Sequence, residues 1–595
     1  MSTYEKPTRV RYSIVASASL MAVLLYLDRF CISFAEVFIQ EDLGLTNNQT
    51  GWMLSAFFWT YALGQVPSGW LTDRFGSRLM LTLYVLLWSL FTGLTGAAFS
   101  LVALLALRLG FGLAQAGAYP TASSIVSKWV PFARRGTASG IVAFGGRMGG
   151  FLAVFVSGYL LVLLTPLDTR TTLVPDDFLD GPLVCYQLRV AADEPSAVLR
   201  RRCLEEFTEE GRSTVDRNGR IYADRLAAER ESLRSEGEDP DSAVVKVLPL
   251  SDEDLQTLSD NLNAIIGHGG FFTLDDVTQK DIPVEKEVER LLGRADNLSD
   301  SQVQRINRLV LESLCRDDES RGLKQLYRAG WRPMMFLYGS LGILIAALVW
   351  RNCRTTPSEH PNCNDAEAVL ITGSQPSVPA THVTGVPWRE LLTSRSMWCS
   401  CITQWFTNIG WIFLLTWAPR YYDDVHHLAT EKRALLVAIP PMIGWVGMLA
   451  GGPLSDFAAR RLGLRWGRAL PISLSRFLAM AAYIGCLTQP SVYGCVLLFS
   501  VVAFSADLGN PSGWAFTQDV GGRHVGSVLG WGNMWGNLGA AVTPPLLIWV
   551  VGETAVWNNA FMVCAGAFFL SGLSALGIDA SVPIVPTEDD VQTTK

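Results

Sequence analysis

"GWLTDRFGSR", residues 69–78, and "GPLSDFAARR", residues 452–461, share one signature: Gly, then Asp four residues on, then Arg five residues later. Each begins where an uncharged run closes, 52–72 for the first and 434–455 for the second. Two such matches at corresponding places predict an internal duplication. Parallel six-span repeats with a substrate site at their interface are a plan of membrane transporters. Gly69 and Gly452 would let neighbouring helices approach closely. Asp73 and Asp456 would pair with arginines or cap a neighbouring helix, with Arg74, Arg78 and Arg461 in the same loops. Contacts of this kind would lock one conformation and break in another, which makes these seven residues the expected gate.

The rest of the chain agrees with a membrane setting. Of 595 residues only 17% are charged and 49% are hydrophobic, where soluble chains run near 25% charged. Between Arg78 and Arg108 lie 29 uncharged residues, and similar runs recur at 148–167, 333–350, 396–419, 477–506, 524–552 and 554–578. A bilayer crossing takes about 20 apolar residues, so these runs predict about twelve transmembrane helices in two pseudo-symmetric six-helix bundles. The polar start "MSTYEKPTRVRYS" has no cleavage-site pattern, so the first span is expected to be retained. The eleven cysteines and six histidines show no metal-ligand spacing, and the pair His426–His427 reads as a solvated loop. No enzyme motif, cofactor site or nucleic-acid-binding patch is expected.

Basic residues in short loops set orientation. Lys6, Arg9 and Arg11 precede the first span; Arg74 and Arg78 follow the second; Lys128, Arg134 and Arg135 follow the fourth; Arg460, Arg461, Arg465 and Arg468 follow the eighth. Both termini are therefore expected to be cytoplasmic, in a cell (inner or plasma) membrane. Residues 166–327 break the pattern with 21 Lys/Arg against 34 Asp/Glu, a net of −13 within an overall −7. Capping-box signals at "SDED" (251–254) and "TLDD" (273–276), and the helical face Val303, Ile306, Val310 and Leu314, predict a small, mostly helical extracytoplasmic domain. Cys185 and Cys203 could pair there, with Cys315 left over; paired and unpaired readings both stand. The expected organisation is a first bundle over 1–165 with spans 1–5, the insertion over 166–328, span 6 over 329–352, a central cytoplasmic loop over 353–387, a second bundle over 388–580 with spans 7–12, and a cytoplasmic tail over 581–595.

A second echo runs at a constant offset of 390: "GTASGIVAFGGRMGG" (136–150) aligns with "GSVLGWGNMWGNLGA" (526–540), placing Gly136, Gly140, Gly146 and Gly149 on Gly526, Gly530, Gly536 and Gly539. Small residues four apart let membrane helices pack tightly. The same offset sets Arg147 on Asn537.

Ionisable groups inside spans are costly unless they face a polar interior, which makes them functional candidates. The first half holds four: Asp28, Arg29, Arg108 and Arg147. Arg147 lies roughly 16 Å along its helix, near the midplane. Neighbours on a helix face different ways, so Asp28 and Arg29 should serve different partners. Asp28 is expected to pair with Arg108, leaving Arg29 and Arg147 as unneutralised positive charge in a central cavity. Guanidinium holds carboxylate or phosphate through paired hydrogen bonds, so a small organic anion is the economical counter-charge.

Several stretches carry a family resemblance: "YLDRFCIS" (26–33), "WTYALGQVPSGWLTDRFGSR" (59–78), "RLGFGLAQAGAYP" (108–120), "GWRPMMFLYGSLG" (330–342), "RTTPSEHP" (354–361), "TWAPRYY" (416–422) and "DVGGRHVGSVLGWGNMWGNLG" (519–539). On these the chain resembles the major facilitator superfamily, and within it the anion:cation symporter family, which includes sugar-acid (hexuronate-like) transporters. The resemblance spans nearly everything except 166–327. It implies substrate contacts at Arg29, Tyr61, Arg147 and Asn533, with Asn537 one turn beyond Asn533 on the same face. It also implies a proton-coupling glutamate seven residues after Arg108. That position is Gln115, and an amide cannot titrate. Coupling could rest on Asp28 alone, use another cation, or be absent in a uniporter.

The expected function is secondary active transport of a small organic anion, a sugar acid or similar carboxylate, by alternating access, coupled by symport to a proton or other cation. The alternative is a transporter-derived sensor that uses the insertion, for which an unidentified partner is open.

Overall fold

Thr46 opens the second helix as a capping box: its hydroxyl accepts from the Gln49 N–H, and the Gln49 side chain accepts from the Thr46 N–H. Ser394 and Ser491 open later membrane helices in the same way, each accepting a backbone N–H three residues on. The computed structural model describes residues 5–166, 169–189, 196–236, 249–273, 275–276, 298–316, 321–372, 385–426, 430–488, 491–551 and 557–584. Most of the tail expected over 581–595 lies outside these, as do His427 and residues 373–384 of the central loop.

No strand occurs among the described residues. Span 1 is Val10–Leu43, span 2 Asn47–Phe75, span 3 Ser77–Thr95, span 4 Leu101–Trp129 and span 5 Arg135–Leu164; span 6 is Trp331–Asn352. Span 7 is Arg395–Ile412, continued through a π-helical turn, Phe413–Trp417, into Ala418–His426. His426, expected in a loop, thus ends a helix. Thr430–Cys486 is continuous except at Gly463, whose φ of +76° divides it into spans 8 and 9. Spans 10, 11 and 12 are Val492–Val520, Val525–Val551 and Trp557–Ala575.

Eight described helices are long and apolar enough to cross a bilayer, or nine when the pair bent by 42° in span 5 counts as one. Spans 2 and 7 fall short because they turn polar groups inward: Gln65, Ser68 and Thr72 from one, Ser400 and Thr403 from the other, all buried. With these two, and with the break at Gly463, the helices number the predicted twelve.

The described chain separates into two units, one of 1–34, 46–158 and 334–595, the other of 35–45 and 159–333. The first holds both six-helix halves. In lipid, helices associate through close packing of small residues rather than by excluding water, and the glycines of the two loop motifs do this against the helix starts of the offset-390 echo. A Cβ on Gly69 would lie 2.2 Å from the Gly526 carbonyl oxygen, and one on Gly452 would lie 2.7 Å from the Thr137 Cα. Span 2 therefore meets span 11, and span 8 meets span 5, by the same device in each half. The central loop also ties back to the start of span 1. Glu367, on the short helix Asp365–Thr372, accepts from the Val10 and Arg11 N–H groups at 3.1 and 3.2 Å, from Arg11 Nη1 at 2.7 Å, and from the Thr8 hydroxyl.

The second unit has its own core. Helices Gly181–Arg189, Ala197–Glu206, Glu209–Glu236, Asp252–Gly267 and Asp300–Leu314 surround Leu258, Leu262, Ile265, Ile306, Val310 and Leu314, each such buried side chain contributing roughly 1.5–3 kcal/mol. The expected caps form at Ser251 and Thr273, and Ser299 caps the helix Asp300–Leu314 as well. Cys185, Cys203 and Cys315 are free thiols in this core. Asp177 accepts from Arg170 at 2.9 Å and Arg328 at 2.7 Å. Burial alone would raise its carboxyl, but Arg328, the Val174 N–H and Arg308 hold it below the usual value.

Candidate functional site

Arg29 sits midway along span 1, held from two sides. Its Nε donates to Gln115 Oε1 of span 4 at 2.9 Å, and Gln115 Nε2 donates back to the Leu25 carbonyl at 2.9 Å. Its Cζ lies 4.4 Å from the Tyr61 ring centroid, 4.9 Å from Tyr26 and 5.0 Å from Phe57. Phe57 stacks on Tyr61 at 5.1 Å. The aromatic walls leave the guanidinium few acceptors, and Arg29 Nη2 is buried without a hydrogen-bond partner. A buried charged donor in that condition calls for an anion or a water.

Tyr26 and Tyr119 connect Arg29 to Arg147. Their rings stand 6.2 Å apart, and both abut Gly146, the residue before Arg147. Tyr119 also packs edge-on against Trp514 of span 10 at 4.9 Å. The two arginines thus face a shared set of aromatic groups.

Arg147 differs from expectation in one respect: it is neutralised. Its Nη2 donates to Asp507 Oδ1 of span 10 at 2.7 Å, and its Cζ lies 4.2 Å from the Trp411 ring centroid of span 7. The guanidinium of one half is therefore gripped by a carboxylate and an indole of the other. Asp507 escaped the sequence reading because the uncharged run 477–506 ends at it, which looked like the end of a span. In fact it lies in the middle of span 10, and an acid flanked by apolar helix on both sides was the signal.

Asp28 does not pair with Arg108. Its Oδ2 accepts from the Trp88 indole N–H of span 3 at 2.9 Å, and its Oδ1 has no hydrogen-bond partner. Arg108 lies against the rings of Phe57 and Phe111 at 5.2 and 5.1 Å, with Nε unmatched. Helical spacing identified the face but not the partner, since an indole donor serves a carboxylate as well as a cation does. Asn537 Nδ2 donates to the Asn533 carbonyl at 2.7 Å, and neither asparagine bonds to an arginine. Trp59 of span 2 is exposed.

The residues expected to form a gate separate into two sets. Asp73 Oδ1 accepts from the Gly526 N–H at 2.9 Å, and its Oδ2 accepts from the Ser527 N–H and hydroxyl at 2.8 and 2.7 Å. Asp456 repeats this on Gly136 and Thr137, at 2.9, 2.8 and 2.7 Å. Each caps the first turn of a helix in the opposite half, where the helix dipole favours a carboxylate. Asp456 is further bound by Arg468 Nη1 at 3.2 Å, whose Nε reaches Asp519 at 2.9 Å; Asp519 in turn holds Arg135 of the other half at 3.1 Å. By contrast, Arg74 lies over Trp70 and Phe75, Arg78 bonds the Trp350 carbonyl, and Arg461 lies over Phe457. Arg468, Asp519 and Arg135 thus take the bridging part expected of those loop arginines.

Two duplicated six-helix halves, joined at one end by matching carboxylate caps and facing each other across buried arginines, have the architecture of a membrane transporter. The protein is an integral, multi-pass one. A family model described as Major Facilitator Superfamily matches residues 18–169 and 325–544, and the chain belongs to that superfamily. It is 24% identical over 593 residues to the probable galactarate/D-glucarate transporter GudP of Escherichia coli (strain K12), covering 97% of this chain and 94% of that one. It is 23% identical over 575 residues to the probable sulfoacetate transporter SauU of Cupriavidus necator, covering 96% and 94%. Among solved structures, the human organic anion transporter MFSD10 (TETRAN) matches with a TM-score of 0.51 and 10% identity, over 96% of this chain and 100% of that one. The expectation of a transporter rather than an enzyme is borne out.

Proposed function

We propose that the protein is a secondary active transporter that carries a small organic anion, a sugar acid or similar carboxylate, by alternating access with cation coupling. The observation behind this reading is Arg29: a guanidinium fixed by Gln115, walled by Tyr26, Phe57 and Tyr61, with one buried donor unmatched. A carboxylate accepts from such a donor in a charge-assisted bond. The similarity to GudP and SauU, named as probable galactarate/D-glucarate and sulfoacetate transporters, supports an anion of this kind.

In this reading Arg29, Tyr61 and Arg147 hold the anion from the first half, and Asn533 and Asn537 from the second. Asp28, Arg108 and Gln115 shape the coupling side of the site. The caps on Asp73 and Asp456 hold the cytoplasmic end shut, both termini lie on that side, and rocking of the halves opens it. The test is counterflow of radiolabelled D-glucarate, galactarate and sulfoacetate in proteoliposomes. Exchange of one of them by the wild type, lost in a folded Arg29→Ala variant, is expected. Equal exchange by both proteins would refute the reading.

A further inference from the structure

We propose that Asp507 is the proton-carrying carboxylate of the transport cycle: it releases Arg147 to the incoming anion and takes a proton in exchange. The proposal rests on the organic-anion reading above and adds the group that does the coupling.

Arg147 and Asp507 form an ion pair between the two halves midway along their helices, at 2.7 Å. The other ion pair described between the halves, Arg135–Asp519, belongs to the locked end. A pair spanning a moving interface must separate when the halves rock, and an uncompensated buried charge is costly. Both charges can be compensated at once. The substrate carboxylate takes the place of Asp507 on Arg147, and a proton neutralises Asp507. One bond, O–H, forms on the Asp507 carboxylate, and no other group changes its charge. Arg147 stays cationic throughout.

The surroundings of Asp507 suit that exchange. Oδ1 faces Arg147 of span 5, while Oδ2 is buried without a hydrogen-bond partner and is free to carry the proton. From span 9, Arg476 is a second cation acting on Asp507; its Nη1 bonds Ser475 Oγ and the carbonyls of Ser505 and Ala506, and its Nε is without a hydrogen-bond partner. Span 8 presents Gly444, where a Cβ would lie 2.8 Å from Oδ2. Span 7 presents the uncharged Trp411, span 4 presents Tyr119 and span 1 Tyr26, both near Arg147. Removing Arg147 from Asp507 therefore leaves only Arg476 nearby, which makes no hydrogen bond to the carboxylate, and protonation neutralises Asp507 in its place. Asp28, by contrast, is bonded to Trp88 and touches neither substrate arginine, so its charge does not compete for the anion. Two ligands that exclude each other from one guanidinium are coupled by that exclusion.

The test counts protons taken up when D-glucarate binds to the purified full-length protein, by calorimetry in buffers of different ionisation heat. The wild type and Asp507→Glu should take up about one proton per anion, and Asp507→Asn none. In proteoliposomes, the ratio of D-glucarate uptake with an imposed inward proton gradient to uptake without one should fall to about one in Asp507→Asn. Retention of the proton by Asp507→Asn overturns the proposal. So does its loss in Asp28→Asn with retention in Asp507→Asn. Should Asp507→Asn fail to fold, a wild-type count of zero still overturns it. Failure of the wild type to bind or exchange any sugar acid is a distinct result, which removes the transporter reading and this assignment with it.

Discussion

Gln115 Oε1 holds Arg29 Nε at 2.9 Å, so the amide in span 4 is the group that aims the arginine in span 1. Gln115→Ala removes the aim but not the charge. A lost hydrogen bond to a charged group is worth about 1.5–3 kcal/mol, so D-glucarate affinity should weaken roughly 10- to 100-fold. Gln115→Glu would instead set a carboxylate on Arg29 and compete with the substrate; its binding should weaken as pH rises, more steeply than in the wild type. Titration of binding at pH 5.5 and 8 distinguishes the two.

Gly69 and Gly452 leave no room for a side chain at the seams they form. Gly69→Val and Gly452→Val should fold but fail to close the end that carries Asp73 and Asp456. Exchange should fall more than tenfold, while cysteines placed near Ser527 or Thr137 become more reactive to a soluble maleimide. Unchanged exchange would mean that closure does not require this approach.

Glu367 ties the central loop to the start of span 1. Burial alone would raise its carboxyl, but bonds from Thr8, the Arg11 and Val10 N–H groups and the Arg11 guanidinium lower it below its ordinary value. A depressed carboxylate contributes stability that is complete above its unfolded value, about 4.3, and that is lost as pH falls through the folded value. Glu367→Gln should therefore melt below the wild type at pH 7, with the gap closing near pH 3. A gap that persists at pH 3 would show that the tie does not depend on the charge.

The thiols of the second unit are sealed. Burial pushes Cys185 and Cys203 far above the usual thiol range and Cys315 up to about 12. In the native protein these three should resist a maleimide over hours and react at once in denaturant, each adding one label by mass. A mass two units low with two of the three thiols unlabelled would reveal a disulfide instead.

The twelve-helix plan was legible because charge is scarce in lipid-facing helices, and its interruptions mark the loops. The duplication was legible because Gly69 and Gly452 answer a steric demand that only glycine meets. Partners were harder to read. Asp28 met an indole rather than Arg108, and no spacing rule discriminates between them. Asp507 was hidden because a paired charge in mid-span resembles a loop boundary when only the sequence is read. Arg468 looked like one more loop arginine, yet it is fully buried between two carboxylates.

That burial makes the two halves unequal despite their common descent. Asp456 is riveted by Arg468 into a chain of ions that runs through Asp519 to Arg135, whereas Asp73 accepts its hydrogen bonds from the neutral groups of Gly526 and Ser527. The seam between spans 2 and 11 has the fewer charged fastenings, so it is expected to part first, with the seam between spans 5 and 8 as the pivot. Spin-label distances across each seam would register the order of release.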